Sequence, residues 1–265
     1  MTNTLSDTQQ HMQRVQGALT AQSPQPNALT SLWSHLTGRT RAWIAFHIVT
    51  VITVGLWLDV HLGWTGQHLA TVWAFGVLGW CYWLGRRVER QVLVLATLLS
   101  ATGEVFLSLV WGVYDYQFHN VPLFVPPGHA LLMTLGILVA RQFVRSSSAL
   151  VITVTTAGLL WAIYVGVTDT DRYGVALFGL YAACLWFSIA RPLYATMFVL
   201  ALIMELYGTA LGNWVWAANA PWVNLSAANP PFSAGAFYCA LDLLVLGILH
   251  KWGHRTDHTP AASKV

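Results

Sequence analysis

Two glutamates, Glu104 and Glu205, lie inside long apolar runs of the chain, where acidic side chains are rare. An acid at the centre of a bilayer costs at least ~2.5 kcal/mol, so it normally faces the protein interior and marks a functional site. Two close buried carboxyls also favour different protonation states, which lets one donate a proton while the other stays ionised. The pair is therefore predicted to protonate a carbon–carbon double bond and to stabilise the resulting carbocation, with the two roles in either order.

Side chains that follow each glutamate at helical spacing extend this candidate site. Ser108 and Thr209 come one turn after the two glutamates, where their hydroxyls are expected to bond the carboxyls. Aromatic rings farther along stabilise a cation through their faces, although Trp and Tyr also form belts at membrane surfaces. The predicted lining of the substrate pocket is Ser108, Trp111, Tyr114, Thr209, Asn213, Trp214 and Asp242, with Trp216 as a further aromatic face.

The predicted catalytic set contains two further residues, Asp115 and His129. Asp115 continues the face of Glu104 at helical spacing. His129 follows Pro-Pro-Gly at the start of the next apolar run, so its ring is expected to reach towards Glu104 as a proton relay. The structural alternative is a polar knot, in which protonated acids bond across helices and hold the two halves together.

The histidines allow a second chemistry, a metal site on one side of the membrane. Their spacing matches no strong metal motif such as HExxH, and the chain has no P-loop or dinucleotide-binding glycine pattern. No metal and no cofactor are therefore predicted. The residues that would form the alternative metal site are His61, His68, His119 and His129, with Asp59 and Asp115.

The composition indicates that these residues are held by membrane-spanning helices. Of the 265 residues, 56% are hydrophobic and 9% are charged, whereas a soluble domain has about a quarter charged residues. Apolar runs of roughly 17–22 residues have the length that crosses a ~30 Å hydrocarbon core. The chain is therefore predicted to be an all-α polytopic membrane protein with eight spans, at about 42–60, 69–85, 91–111, 128–144, 149–167, 173–190, 193–213 and 234–250.

The positions of Lys and Arg predict the orientation of these spans. Only Arg172 falls on one side of the predicted bilayer, and the other basic residues fall on the opposite side. Basic residues concentrate on the cytoplasmic side, so both termini are predicted to be cytoplasmic, in a bacterial inner membrane. The charge of +3 is thus a topology signal and gives no indication of nucleic-acid binding. Residues 1–38 and 253–265 are predicted to be cytoplasmic tails, the first of them flexible and without a signal peptide.

The chain also shows an internal repeat. "VITVGL" at 51–56 resembles "VTTAGL" at 154–159, and the two glutamates occupy equivalent places 101 residues apart. Each is followed by an aromatic segment and a loop that ends in Pro-Pro. Residues 39–146 and 147–252 are therefore predicted to form two four-helix repeats, which are parallel because each has an even number of spans. Both glutamates should then lie about 18 Å from the cytoplasmic end of their helices.

One stretch resembles a known family. Glu104, "WGVYDY", Pro122 and "VPP" resemble the integral-membrane carotenoid biosynthesis proteins, the group that includes bisanhydrobacterioruberin hydratase. The similarity covers residues 104–127 well, and Glu205 matches the second acid of the family. It implies an enzyme that adds water to the end of a long isoprenoid, or closes a ring there, through a carbocation.

The leading hypothesis is therefore an intramembrane hydratase or cyclase whose partners are the membrane and a lipid or isoprenoid substrate. Three alternatives stay open: a metal-dependent membrane hydrolase or oxygenase, a proton-coupled transporter, and a non-catalytic pigment-binding or assembly subunit. A homo-oligomer and a larger membrane complex are both compatible with the sequence.

Overall fold

The computed structural model describes residues 31–188 and 190–257. The predicted tails at 1–38 and 253–265 lie mostly outside these ranges. The described chain is almost entirely helical. Its helices are α1 (Gly38–Leu84), α2 (Arg87–Glu104), α3 (Val125–Ala140), α4 (Ser147–Val167), α5 (Arg172–Phe187), α6 (Arg191–Leu211) and α7 (Gly235–Asp257), with a π-helical turn at Val105–Trp111 and a 3-10 segment at Arg141–Ser146.

Helix α1 consists of two arms that meet at Gly63. This residue has φ 57° and ψ −137°, a backbone conformation that interrupts the helix and that residues with a Cβ rarely adopt. The two arms, 38–62 and 64–84, fold back on each other. A Cβ placed on Gly55 of the first arm would lie 3.5 Å from the Cβ of Ala70 on the second. The predicted separation of two apolar runs here is therefore achieved at a single residue, rather than by a loop at 61–68.

Four helices form the centre of the molecule. Helix α2 packs against α3 and α7, and α6 packs against the same two helices from the other side. Helix α1 packs outside α3, α5 packs outside α7, and α4 packs against α5 and α6. The side chains enclosed by the central four helices are the ones that form the site described below.

The all-helical class predicted from the sequence is confirmed, and the length and apolar character of the helices support the predicted membrane character. Among the described residues, four stretches are long and apolar enough to cross a membrane: Gly38–Leu84, Arg87–Trp111, Ser147–Val167 and Arg191–Leu211. Large apolar side chains point outwards, including Val72, Trp83 and Val167, each more than 70% exposed. In water this surface would be unfavourable, whereas lipid tails solvate it well.

A short β-ribbon joins the two halves at one end of the bundle, which we call the ribbon end. Strands β1 (Tyr114–Tyr116) and β2 (Trp214–Trp216) follow directly after the helical segments that end at Trp111 and Leu211. They pair antiparallel, with Asp115 opposite Val215. A second ribbon, β3 (Asn219–Ala220) with β4 (Leu225–Ser226), forms the following loop.

Candidate active site

The carboxyl of Glu104 is buried and accepts three hydrogen bonds. Its Oε2 accepts from the hydroxyls of Tyr114 and Tyr116, both at 2.7 Å. Its Oε1 lies 2.8 Å from Nε2 of His129, at the start of α3. Glu104 is only 5% exposed, so these three groups replace the water that a carboxylate requires.

The carboxyl of Glu205 has a closely similar environment built from different residue types. Its Oε2 accepts from the indole N–H of Trp214 at 2.8 Å and of Trp216 at 3.1 Å. The hydroxyl of Tyr238, near the start of α7, donates to its Oε1 at 3.2 Å. Glu205 is also 5% exposed. Each glutamate therefore accepts from two aromatic residues of one ribbon strand and from one residue of the helix that follows.

The two carboxyl sites are joined in two places. In the ribbon, Tyr114 faces Trp216 and Tyr116 faces Trp214, so the four aromatic donors form two cross-strand pairs. The rings of His129 and Tyr238 stack with their centroids 4.3 Å apart and their planes 6° from parallel. The hydrogen-bond donors of one carboxyl thus pack directly against the donors of the other.

Strand alternation explains why the aromatic donors reach the carboxyls. Successive side chains of a strand point to opposite faces, so Tyr114 and Tyr116 point inwards together while the residue between them points outwards. The same alternation applies to the second strand, whose buried and exposed residues follow the same order. Gly112 and Gly212, with φ 73° and 91°, end the two helices in the left-handed region and turn the chain back over the glutamates.

An apolar cleft lies between the two glutamates. Both carboxyls line it together with Tyr114, Tyr116 and the other residues given at the end of this paragraph. The cavity volume of the cleft is about 60 Å³. With its open mouth included, the empty space is about 630 Å³. A cleft of this size and apolar character suits the end of a slender lipid. The remaining lining is Val51, Ile52, Leu56, Ala70, Ala74, Phe124, Val125, Gly128, His129, Met204, Trp214 and Tyr238.

The tyrosines of the first strand remain hydrogen-bond donors under ordinary conditions. Burial, with the nearby Glu104 charge as a further cause, raises the pKa of Tyr114 and Tyr116 well above the usual phenol value. Since both phenols keep their protons, they stabilise an ionised Glu104.

Among the residues predicted for the site, the structure brings Tyr114, His129 and Trp214 to the two glutamates. The expected reach of His129 to Glu104 is confirmed by the 2.8 Å contact. Trp216 is also present, although it acts as a hydrogen-bond donor as well as an aromatic face.

The predicted roles of Ser108 and Thr209 as partners of the carboxyls are wrong. The Thr209 hydroxyl donates to the backbone carbonyl of Glu205 at 2.7 Å, one turn back in its own helix. Within the described residues, the buried hydroxyl of Ser108 has no hydrogen-bond partner. Hydroxyls inside helices commonly bond the preceding turn of backbone, and the ribbon residues occupy the carboxyls instead.

Asp115 is also predicted wrongly, because the helix ends before reaching it. The chain leaves the helix after Trp111, and Asp115 becomes the outward residue of β1. Its side chain is 56% exposed and contacts His119 rather than Glu104.

Three residues predicted to line the pocket lie elsewhere. The indole of Trp111 donates to the carbonyl of Pro221 at 2.6 Å and supports the second ribbon. Asn213 donates to the carboxyl of Asp59 at 2.8 Å, outside the cleft. Asp242 is fully buried, one turn beyond Tyr238, and does not line the cleft either.

Tyr116 and Tyr238 complete the site although helical spacing did not predict them. The sequence does carry a signal for Tyr116, because "YDY" and "WVW" share an aromatic-x-aromatic pattern after equivalent glycines. Tyr238 has no such signal, since its contact depends on how α7 packs against α6.

The alternative metal site is not formed by the described residues. No group of three His, Cys, Asp or Glu side chains among them is arranged to hold a metal ion. His61 and His68 each bond a backbone carbonyl of their own helix, and His119 pairs with Asp115. The predicted ligands are therefore dispersed.

A scan against protein-family models, a search of curated proteins and a search of solved structures each found no match. The resemblance to the carotenoid biosynthesis proteins therefore stays a prediction.

Proposed function

We propose that this protein is an intramembrane enzyme that hydrates or cyclises a carbon–carbon double bond at the end of an isoprenoid or carotenoid-like lipid. The observation that carries this proposal is the pair of buried carboxyls, Glu104 and Glu205, which line one apolar and aromatic cleft. Such a cleft admits a hydrocarbon, and the carboxyls are its acidic groups. Acid–base chemistry on an alkene requires both features together.

Charge balance assigns a different role to each carboxyl. A buried charge without compensation costs several kcal/mol. Glu104 contacts a histidine, so an ionised Glu104 with a protonated His129 is neutral overall. The donors of Glu205 are uncharged indole and phenol groups, so Glu205 is most stable as the protonated acid. We therefore assign Glu205 as the proton donor and the Glu104–His129 pair as the base.

The reaction then proceeds in two balanced steps. The Glu205 acid transfers its proton to one carbon of the double bond, and the other carbon becomes a cation while Glu205 becomes a carboxylate. In hydration, a water molecule adds to the cation and gives one proton to Glu104. In cyclisation, a second double bond of the substrate attacks the cation, which closes the ring and moves the positive charge to the other carbon of that double bond. Loss of a neighbouring C–H proton to Glu104 then neutralises the charge and forms a new double bond.

The aromatic lining stabilises the cation between these steps. The rings of Tyr114, Tyr116, Trp214 and Tyr238 line the same cleft, and the face of an aromatic ring carries partial negative charge. A cation held over such faces gains about 0.5–2 kcal/mol from each well-placed ring. The limited room for water-sized molecules also restricts early capture of the cation by water.

The proposed arrangement in the membrane follows from the helices, the two glutamate environments and the basic residues. We propose eight spans in two parallel repeats, because the two arms of α1 and the six later helices follow the eight predicted apolar runs. The matching environments of Glu104 and Glu205 support the repeat. Basic residues at the end opposite the ribbon indicate that this end, with both termini, is cytoplasmic in a bacterial inner membrane. Those described basic residues are Arg39, Arg41, Arg86, Arg87, Arg90, Arg141, Arg145, Arg191, Lys251 and Arg255, whereas Arg172 lies at the ribbon end.

Labelling of single introduced cysteines tests this orientation. Leu123→Cys is at the ribbon end and its side chain is 69% exposed, so a membrane-impermeant maleimide should label it in intact cells. Arg87→Cys is exposed at the opposite end and should be labelled only after permeabilisation. The native cysteines Cys81, Cys184 and Cys239 are buried and provide a low background. The reverse labelling pattern would contradict the proposed orientation.

Expression in a bacterial strain that accumulates lycopene, an acyclic carotenoid, tests the reaction. If the wild-type protein hydrates lycopene, the product should be heavier by one water for each hydrated end. If the protein cyclises lycopene, the product should be an isomer of equal mass with a different chromatographic retention time. Liquid chromatography with mass spectrometry distinguishes the two. Lipid extracted from the purified protein should contain an isoprenoid. If lycopene were not converted and the extract contained no isoprenoid, the proposal would be overturned.

The extraction and two further measurements on the purified protein separate the alternative functions. Unchanged pigment that co-purifies with the protein indicates a carrier, and stoichiometric partner chains indicate an assembly subunit. Proton-coupled uptake into liposomes by the purified protein indicates a transporter, and activity that depends on a bound metal indicates a metal-dependent enzyme.

A further inference from the structure

Asp242 is a buried acid that the proposed reaction does not use. It lies inside α7, and its side chain is completely buried. Within residues 31–188 and 190–257, neither of its carboxyl oxygens has a hydrogen-bond partner. An ionised carboxylate in such surroundings would be far less stable than the acid, so Asp242 holds a proton.

The position of Asp242 relates it to both carboxyls of the site. It follows Tyr238 by one helical turn, on the side away from the ribbon, and Tyr238 donates to Glu205. On the neighbouring helix α2, Ser100 precedes Glu104 by one turn on the same side, and within the described chain its buried hydroxyl is unpartnered. Helices α2 and α7 pack against each other. A buried acid on α7 and a buried hydroxyl on α2 thus each lie one turn farther from the ribbon than a residue of the carboxyl site.

Other polar groups continue from Asp242 towards the end of the bundle opposite the ribbon. Tyr194 of α6 and Cys184 of α5 lie near Asp242, as does Cys239 of α7, whose thiol donates to the carbonyl of Tyr194 at 3.4 Å. The Tyr194 hydroxyl donates to Oγ of Ser188 at 3.1 Å. Ser188 is half-buried, beyond the end of α5. Hydroxyls can both accept and donate, so this sequence of groups can pass a proton.

We propose that Asp242 is a proton-relay residue that resets Glu104 and Glu205 between turnovers and exchanges protons with the cytoplasm through Tyr194 and Ser188. The proposal rests on the proposed function. After each reaction Glu205 lacks a proton and Glu104 carries one. Asp242 gives its proton through the Tyr238 hydroxyl to Glu205, and the proton of Glu104 returns to Asp242 past Ser100. No proton is gained or lost over the cycle.

Infrared spectroscopy of the purified protein in lipid nanodiscs tests this relay without a substrate. The carboxylic-acid region should contain one band that Asp242→Asn removes and one that Glu205→Gln removes. On transfer to D₂O, the Glu205 band should shift at least about tenfold more slowly in Asp242→Asn than in wild type, a loss smaller than that of a catalytic acid because water partly substitutes for a relay. Tyr194→Phe should slow the exchange of both bands.

Asp115→Asn is the matched control, because this acid is exposed and distant from the relay; its exchange rates should equal those of wild type. Equal Glu205 exchange in wild type and Asp242→Asn would overturn the relay, as would the absence of any acid band from Asp242. A missing Glu205 band would instead refute the proton assignment of the proposed function. The relay is then decided by the Asp242 band alone: slower exchange in Tyr194→Phe supports it, and unchanged exchange overturns it.

Discussion

Glu104→Gln should reduce product formation by about 100-fold or more, the usual contribution of a general acid or base. Gln keeps the shape of the side chain and still accepts from Tyr114 and Tyr116, but it cannot take a proton from the substrate or from water. Glu205→Gln should cause a loss of similar size, because an amide cannot supply the proton that starts the reaction. The measurement is the yield of converted carotenoid per amount of folded membrane protein.

The exposed acid Asp115 supplies the control for these two variants. Asp115→Asn removes the outward-pointing carboxylate in the middle of β1 without touching the cleft, so it should retain full activity. If Glu104→Gln were expressed normally and retained wild-type activity, the acid–base mechanism would be wrong. Full activity of Glu205→Gln with loss in Glu104→Gln would reverse the assignment of the proton donor.

Gly208→Ala should destabilise the protein and abolish most of its activity. A Cβ at this position would lie 2.1 Å from Cη2 of Trp214, within the rigid indole ring. The ring must therefore move, and its N–H loses the 2.8 Å bond to Glu205. Overpacking costs about 1–3 kcal/mol, and a lost bond to a buried acceptor adds about 1–3 kcal/mol. Thermal unfolding in detergent and the carotenoid assay measure the two effects.

Gly79→Ala is the matched control, since Gly79 is also helical and a Cβ there meets no atom within 4 Å. It should leave the activity unchanged and raise the stability slightly, by about 0.5–1 kcal/mol, because Ala favours a helix. Equal melting temperatures for Gly208→Ala and wild type would show that Trp214 does not pack against Gly208 in the membrane.

Much of the helical layout could be predicted because apolar runs of membrane length are a strong signal. The residues at which each helix begins and ends are harder to predict from hydropathy. The fourth run was predicted to begin at residue 128, whereas α3 begins at Val125, because Pro126 and Pro127 occupy its first turn, where proline fits. The turn at Gly63 was predicted as a longer loop, since a single left-handed residue leaves little trace in hydropathy.

Part of the site could also be predicted from the sequence, because its acids lie in apolar runs. Intramembrane acids stand out in composition, so Glu104 and Glu205 were found directly, as was the contact with His129. Their other partners lie in the ribbon, whose side chains alternate with a period of two, whereas the predicted lining follows the helical period. Tyr238 depends on packing between α6 and α7, which spacing along one helix does not contain.

The π-helical turn explains an irregularity in the proposed repeat. Glu104 precedes Tyr114 by ten residues, whereas Glu205 precedes Trp214 by nine. A π-helical turn accommodates one extra residue within a helix. The turn at Val105–Trp111 therefore brings Tyr114 to the same position over its glutamate as Trp214. An alignment of the two halves without a gap matches the acids or the donors, but not both.

The ribbon has a mechanical consequence for the molecule. Its backbone pairing ties the first half to the second, and the bonds from Gln117 to Asn213 and from Ala217 to Val113 extend the tie at both ends. Transporters built from two repeats commonly alternate by rocking one repeat against the other. Here, such rocking would break the main-chain hydrogen bonds of the ribbon. It would also break the hydrogen bonds that four aromatic side chains donate to Glu104 and Glu205. The pairing therefore holds the two halves together at the ribbon end, so we expect a lipid to reach the cleft through its open mouth rather than by rocking of the halves.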